Sequence, residues 1–178
     1  MVSACKQYIT EGGHVRVWDV PPATLLQRLD ACKKLYQYYQ ECFNQSKQHV
    51  RSSHRPFEIS EMYVFGKFAS FCRRLDQIRS LVDAMQQFSV LQQSHIEGIE
   101  SLATRFNHLV SAFKKKPYNP LDHRKMEFAV DFGEFQRQVT ELEEQLCGFM
   151  ATTFSQVNSC MQSLQLVIRG EQVPCHLK

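Results

Sequence analysis

Apolar residues recur along this chain at alternating spacings of four and three, the pattern of a helix that buries one face. One series runs Leu25, Leu29, Cys32, Tyr36, Tyr39, Phe43. Pro21-Pro22 stand ahead of it, where a fixed φ and a missing N–H suit a first turn, and residues 51–56 break it. A short segment, residues 5–10, precedes this helix and ends at Gly12-Gly13. A third helix is predicted from Ser60 as N-cap, with Ile59 and Val64 placed to close a hydrophobic staple. Its seam is Phe65, Phe68, Cys72, Leu75, Ile78, Val82 and Met85. Ser94 and Glu97 have capping-box spacing ahead of Ile99, Leu102, Phe106, Leu109 and Phe113. Lys114-Lys115-Lys116 suits the end of that helix dipole, and Pro117 stops it.

Asn119-Pro120 reads as the N-cap and first position of the last helix. Its seam is Phe128, Phe132, Phe135, Val139, Leu142, Leu146 and Phe149, re-phasing through Met150 and Phe154 to Val157, Met161, Leu164 and Ile168 in a stutter. From residue 121 to 169 such a rod would span roughly 70 Å. That exceeds a compact domain of this size, so part of its apolar face is expected to need another chain. Residues 55–59 form the one extended phrase, with no second strand to pair. The pattern predicts an all-α chain, an elongated bundle of about four long helices with coiled-coil-like seams.

Composition adds few constraints. At 178 residues, 43% hydrophobic and 22% charged, the chain is ordinary globular material. Its 21 Lys and Arg against 18 Asp and Glu leave a net charge of +3, too small to argue for nucleic acid or an anionic membrane. No apolar run approaches a membrane span, and the first six residues lack a signal-peptide core. The seven cysteines (5, 32, 42, 72, 147, 160, 175) form an odd set without Cys-x-x-Cys, which favours buried thiols in a reducing compartment over disulfides or zinc. Cys175-His176-Leu177-Lys178 is not a prenylation signal.

Chemistry-bearing motifs are sparse. Gly66-Lys67 lacks the upstream glycine and following hydroxyl of a phosphate loop. The histidines at 14, 49, 54, 95, 108, 123 and 176 are scattered, and His49 and His54 read as solvated flanks of a basic loop. Asp131, Glu134, Glu141, Glu143 and Glu144 read as a solvated or partner-facing acidic stripe rather than an acid/base pair. Lys114-Lys115-Lys116 with Arg124 and Lys125 reads as a helix end and polar hinge, with phosphate or tubulin contact as the lesser alternative. The ladder Phe128-Phe132-Phe135 reads as core or interface rather than a ligand pocket. No catalytic, cofactor-binding or metal-ligating residue is nominated.

The ordered strings Val17-Trp18-Asp19-Val20-Pro21-Pro22, Phe65-Gly66-Lys67-Phe68, Phe71-Cys72-Arg73-Arg74-Leu75 and Ile96-Glu97-Gly98-Ile99-Glu100 resemble the N-terminal tail of dynein heavy chains. Phe113-Lys114-Lys115-Lys116-Pro117-Tyr118, Leu121-Asp122, Asp131-Phe132-Gly133-Glu134-Phe135 and Leu142-Glu143-Glu144-Gln145-Leu146 extend the resemblance, closer to axonemal than to cytoplasmic chains. It covers residues 14–168, leaving 1–13 as an N-terminal segment and 169–178 as a divergent tail, where Gly170 and Pro174 break the pattern.

The resemblance implies a helical stem that joins dynein heavy, intermediate and light-intermediate chains in the cytoplasm, cytoskeleton and ciliary axoneme. It implies no catalytic residue, because the motor ring and microtubule-binding stalk of the family lie elsewhere. A piece or truncated form of a heavy chain is expected. Self-association or capture of a tail component is expected through residues 149–168. The alternatives are a free-standing helical adaptor and, against the motif evidence, a nucleotide-binding enzyme.

Overall fold

The computed structural model describes residues 1–93 and 98–156. Among them are five α-helices: α1 (Val2–Ile9), α2 (Pro22–Ser52), α3 (Glu61–Gln93), α4 (Glu100–Lys114) and α5 (Met126–Gln156). Short 3-10 turns at Glu11–Gly13 and Val17–Asp19 link α1 to α2. The all-helical expectation holds. The chain divides into two compact units, residues 1–82 with 118–125, and residues 83–117 with those from 126 onward.

In the first unit α1 packs on α2, burying Cys5 and Ile9. The end of α1 is held by Arg28, whose guanidinium donates to the Ile9 carbonyl at 3.0 Å and to the Glu11 carboxylate at 2.8 Å. Leu25, Leu29 and Cys32 are buried as the α2 seam requires, while Tyr36 and Phe43 are half-buried and Tyr39 is exposed. Their partners are aromatic: Tyr36 meets Phe68 edge-on at 5.1 Å, and Phe43 lies between Phe57 and Phe65 at 5.3 Å from each. Lys33–Asp76 and Arg79–Asp30 ion pairs flank this α2–α3 seam.

The α3 seam is wider than its spacing predicts. Phe71 and Leu81 are fully buried beside Phe68, Leu75 and Ile78. So is Arg74, at 4% exposure, the one buried charged residue among those described. Its guanidinium donates to the carbonyls of Pro120 at 3.1 Å, Asp122 at 2.9 Å and Lys125 at 2.8 Å. Its Nε donates to Gln77 at 3.1 Å.

This hold corrects the predicted start of the last helix. Asn119-Pro120 does not cap it; α5 begins at Met126. The Asn119 side chain instead accepts the Leu121 N–H at 2.9 Å, closing a local turn, and Leu121 is buried. The carbonyls of Pro120 and Asp122, which a helix would give to N–H groups four residues on, serve Arg74 instead. The part of the predicted rod beyond residue 156 lies outside the described residues; the 31 residues of α5 span about 46 Å.

The second unit is built on phenylalanine. Phe88 stacks on Phe106 at 4.0 Å, and Phe113 packs on Phe128 at 5.4 Å and Phe135 at 5.5 Å. Phe132, Val139, Leu142 and Leu146 continue the buried α5 face as predicted. Of the third helix's predicted staple, Ile59 (57% exposed) and Val64 (40%) stay in solvent. The Ser94–Glu97 capping box lies outside the described residues. Ahead of α4, Gly98 has φ +92°, and a Cβ there would sit 2.7 Å from Cε2 of Phe149. Only glycine meets both demands.

Two stability predictions follow from these contacts. Arg74→Ala removes the guanidinium from three carbonyls, of which Asp122 keeps the Lys125 N–H at 3.1 Å, and should lower the free energy of unfolding by about 3 kcal/mol in urea titration. Arg74→Lys should recover little, since an ammonium cannot span the fork. Gly98→Ala should cost about 2 kcal/mol, and Phe149→Ala in the same chain should reduce that penalty; strict additivity of the two would reject the steric account.

Candidate assembly surface

Residues nominated or dismissed for chemistry are dispersed. Gly66-Lys67 lies inside α3, where its backbone N–H groups are committed to the helix rather than to a phosphate cradle. His49 is in the last turn of α2, and His54 lies beyond it at φ +54°. No group of three or more His, Cys, Asp or Glu among the described residues could hold a metal ion. An open groove of about 310 Å³ runs between α2 and α3, lined by Lys33, Tyr36, Gln40, Cys72, Arg73 and Asp76. Lys33 already meets Asp76 there at 2.5 Å.

Cys5, Cys32 and Cys72 are buried in the first unit. Burial, then Cys5, pushes the Cys32 thiol up to about 12; burial, then Asp76, pushes Cys72 up to about 11. Protonated thiols of this kind are poor nucleophiles and pack as small apolar groups. Cys42 is half-buried and Cys147 exposed; Cys160 and Cys175 lie outside the described residues.

Three carboxylates of the acidic stripe on α5, Asp131, Glu134 and Glu141, are paired within their own unit. Arg137 donates to Glu134 at 2.6 Å and 3.0 Å and also pairs with Glu141. Lys116 reaches Asp131 at 2.9 Å. The hydrogen bonds from Arg137, then from Gln138, bring Glu134 down to about 2. Lys116 of the basic run therefore has a carboxylate partner, and the Lys125 carbonyl is held by Arg74. The nominated seam at 149–168 is described only at its start. Phe149 and Met150 are half-buried and Phe154 is 38% exposed, while Val157, Met161, Leu164 and Ile168 lie outside the described residues.

The largest exposed apolar side chains were not singled out by periodicity. In the first turn of α3, Met62 is 78% and Tyr63 90% exposed, beside Ile59 and Val64. The signal was the unbroken run Met62-Tyr63-Val64-Phe65, too many consecutive apolar residues for one seam to bury. On α5, Met126 and Val130 are likewise exposed, at 71% and 72%. Such side chains suit contact with another protein surface better than catalysis.

Comparison with known proteins adds three findings. Residues 1–173 match the family model described as dynein heavy chain, N-terminal region 1. The chain is 42% identical over 175 residues to dynein axonemal heavy chain 5 of Mus musculus, and 40% identical over 179 residues to dynein axonemal heavy chain 8 of Homo sapiens. It is 29% identical over 176 residues to the dynein gamma chain, flagellar outer arm, of Chlamydomonas reinhardtii. These alignments cover 97%, 98% and 97% of this chain but 4% of each relative.

The segment gripped by Arg74 carries a testable pH dependence. His123 packs against Phe71 with ring centroids 5.9 Å apart, and its Nδ1 is buried without a hydrogen-bond partner. Burial, then Lys6 and Arg124, lowers its pKa below the ordinary 6.5, Asp122 opposing and Arg74 adding slightly. The unfolded chain thus binds this proton more readily. The stability His123 contributes is complete above pH 6.5 and is lost as pH falls below it toward the folded value. His123→Phe should flatten that part of a denaturation profile; an unchanged slope would reject the assignment.

Proposed function

The chain belongs to the dynein heavy chain family, and from that premise we propose that it is a non-catalytic tail segment serving assembly of a microtubule-based motor in the ciliary axoneme. The match of residues 1–173 to the family's N-terminal region carries this reading. The partners proposed are dynein heavy, intermediate and light-intermediate chains, the work being contact rather than turnover. The relatives named as axonemal and flagellar outer-arm chains support the location. The chain spans about 4% of the length of those relatives, so the motor activity of a whole heavy chain is not assigned to it.

Several physical features support an assembly role. Both units have aromatic cores, and the chemistry-bearing residues that lie close together are mostly committed to internal ion pairs or buried as thiols. Side chains that remain apolar and exposed, including Phe154 at the head of the 149–168 seam, are free to meet a partner helix.

The test is affinity purification of the tagged 178-residue chain from ciliated cells, with ATP hydrolysis assayed on the purified protein. Dynein heavy and intermediate chains should co-purify, and hydrolysis should stay at background. Phe154→Glu combined with Met161→Glu should reduce recovery without loss of helical signal. Recovery of no dynein chain, or nucleotide turnover by the purified protein, would overturn the reading.

A further inference from the structure

The first turns of α3 carry a face that the chain's own packing leaves open. Met62 and Tyr63 lead it, and Gly66, Lys67, Ser70 and Arg73 follow at helical spacings of three and four. Ile59, 57% exposed, lies just ahead of the helix. Phe65 and Phe68 point the other way, into the ring cluster with Tyr36 and Phe43. A monomer gains nothing from holding Tyr63 at 90% exposure.

Gly66 supplies an independent observation. Glycine inside a helix costs about 1 kcal/mol relative to alanine. A Cβ at this position would meet only the Met62 side chain, with Sδ at 3.0 Å, and that side chain is exposed and flexible. The chain's own packing therefore does not require glycine here. The notch it leaves beside Met62 and Tyr63 is what close approach of a second helix backbone uses.

Charge selects the kind of helix. The unit that carries this face, residues 1–82 with 118–125, holds fourteen lysines and arginines against eight aspartates and glutamates. Along the face itself, Lys67 and Arg73 are exposed; Arg73 donates to Ser70 at 3.1 Å. Glu58 and Glu61 stand at the opposite, N-terminal end. A second copy docked antiparallel would pair Glu58 and Glu61 with Lys67 and Arg73, but it would also bring together two units in which cations outnumber carboxylates fourteen to eight, a repulsion that an acidic partner helix does not meet.

We infer that the Met62–Tyr63–Gly66 face of α3 docks an amphipathic helix of a partner protein, with apolar residues against Met62 and Tyr63 and carboxylates against Lys67 and Arg73. The Gly66 notch sets the close approach and the cations set direction along the face. This rests on the reading of the chain as an assembly segment and adds the surface and the chemistry of its partner.

The test places a photocrosslinking phenylalanine analogue at position 63 of the full 178-residue chain in ciliated-cell extract and sequences the attached peptide by mass spectrometry. An acidic, apolar-striped helical segment of another protein is expected. Lys67→Glu with Arg73→Glu should lower the crosslinking yield about tenfold, while Lys67→Arg with Arg73→Lys should retain it. Gly66→Leu should abolish it with the far-ultraviolet helical signal unchanged. A basic or uncharged peptide, a peptide from a second copy of this chain, no crosslink, or a yield indifferent to charge reversal would overturn the inference. Dynein chains that co-purify without crosslinking at position 63 would leave the assembly reading standing and this surface refuted. An acidic helix from a protein unrelated to dynein would do the reverse.

Discussion

The guanidinium of Arg74 is the constraint on which the first unit is organised. It is buried at 4% exposure and meets three backbone carbonyls that lie 46 to 51 residues further along the chain. A buried cation is tolerable only when fully hydrogen-bonded, so the residues 118–125 must adopt the turn that presents those carbonyls. That turn then excludes helix: Asn119 caps its own loop, Leu121 is buried and His123 settles on Phe71. Burial lowers the Arg74 pKa, with Asp122 and Tyr118 opposing, but a guanidinium starts high enough to stay charged.

The second unit rests on a different interaction. Phe88, Phe106, Phe113, Phe128 and Phe135 form a continuous set of ring contacts between 4.0 and 6.2 Å. Such rings bury large areas and hold definite mutual angles, so α4 and α5 pack without a buried polar anchor. Their outer faces carry the compensated ion pairs Lys116–Asp131 and Arg137–Glu134. Exposed pairs of this kind contribute little stability, and here they engage Asp131, Glu134 and Glu141 while Glu143 and Glu144 stand outside them. The exposed apolar positions on α3 and the uneven charge between the two units bear on assembly beside the acidic run that is conspicuous in the sequence.

Much of this protein was determined by its sequence alone. Apolar spacing of three and four sets the helices and, on α5, the buried face from Phe128 to Leu146, because burying one stripe is the local solution for such a pattern. The order of short motifs indicated the family in the same way, since each is a local string. Tertiary structure decided what depends on residues distant in sequence. Asn119-Pro120 has every local mark of a helix start, yet carbonyls demanded by Arg74 override it. Gly98 is a glycine because Phe149, 51 residues later, occupies the space of a side chain. Phe71 and Leu81 are buried off the predicted seam, whereas Met62 and Tyr63 are exposed although equally apolar. Periodicity reports which faces a helix can bury. Which of them are covered depends on where the rest of the chain comes to lie, and only the folded structure contains that.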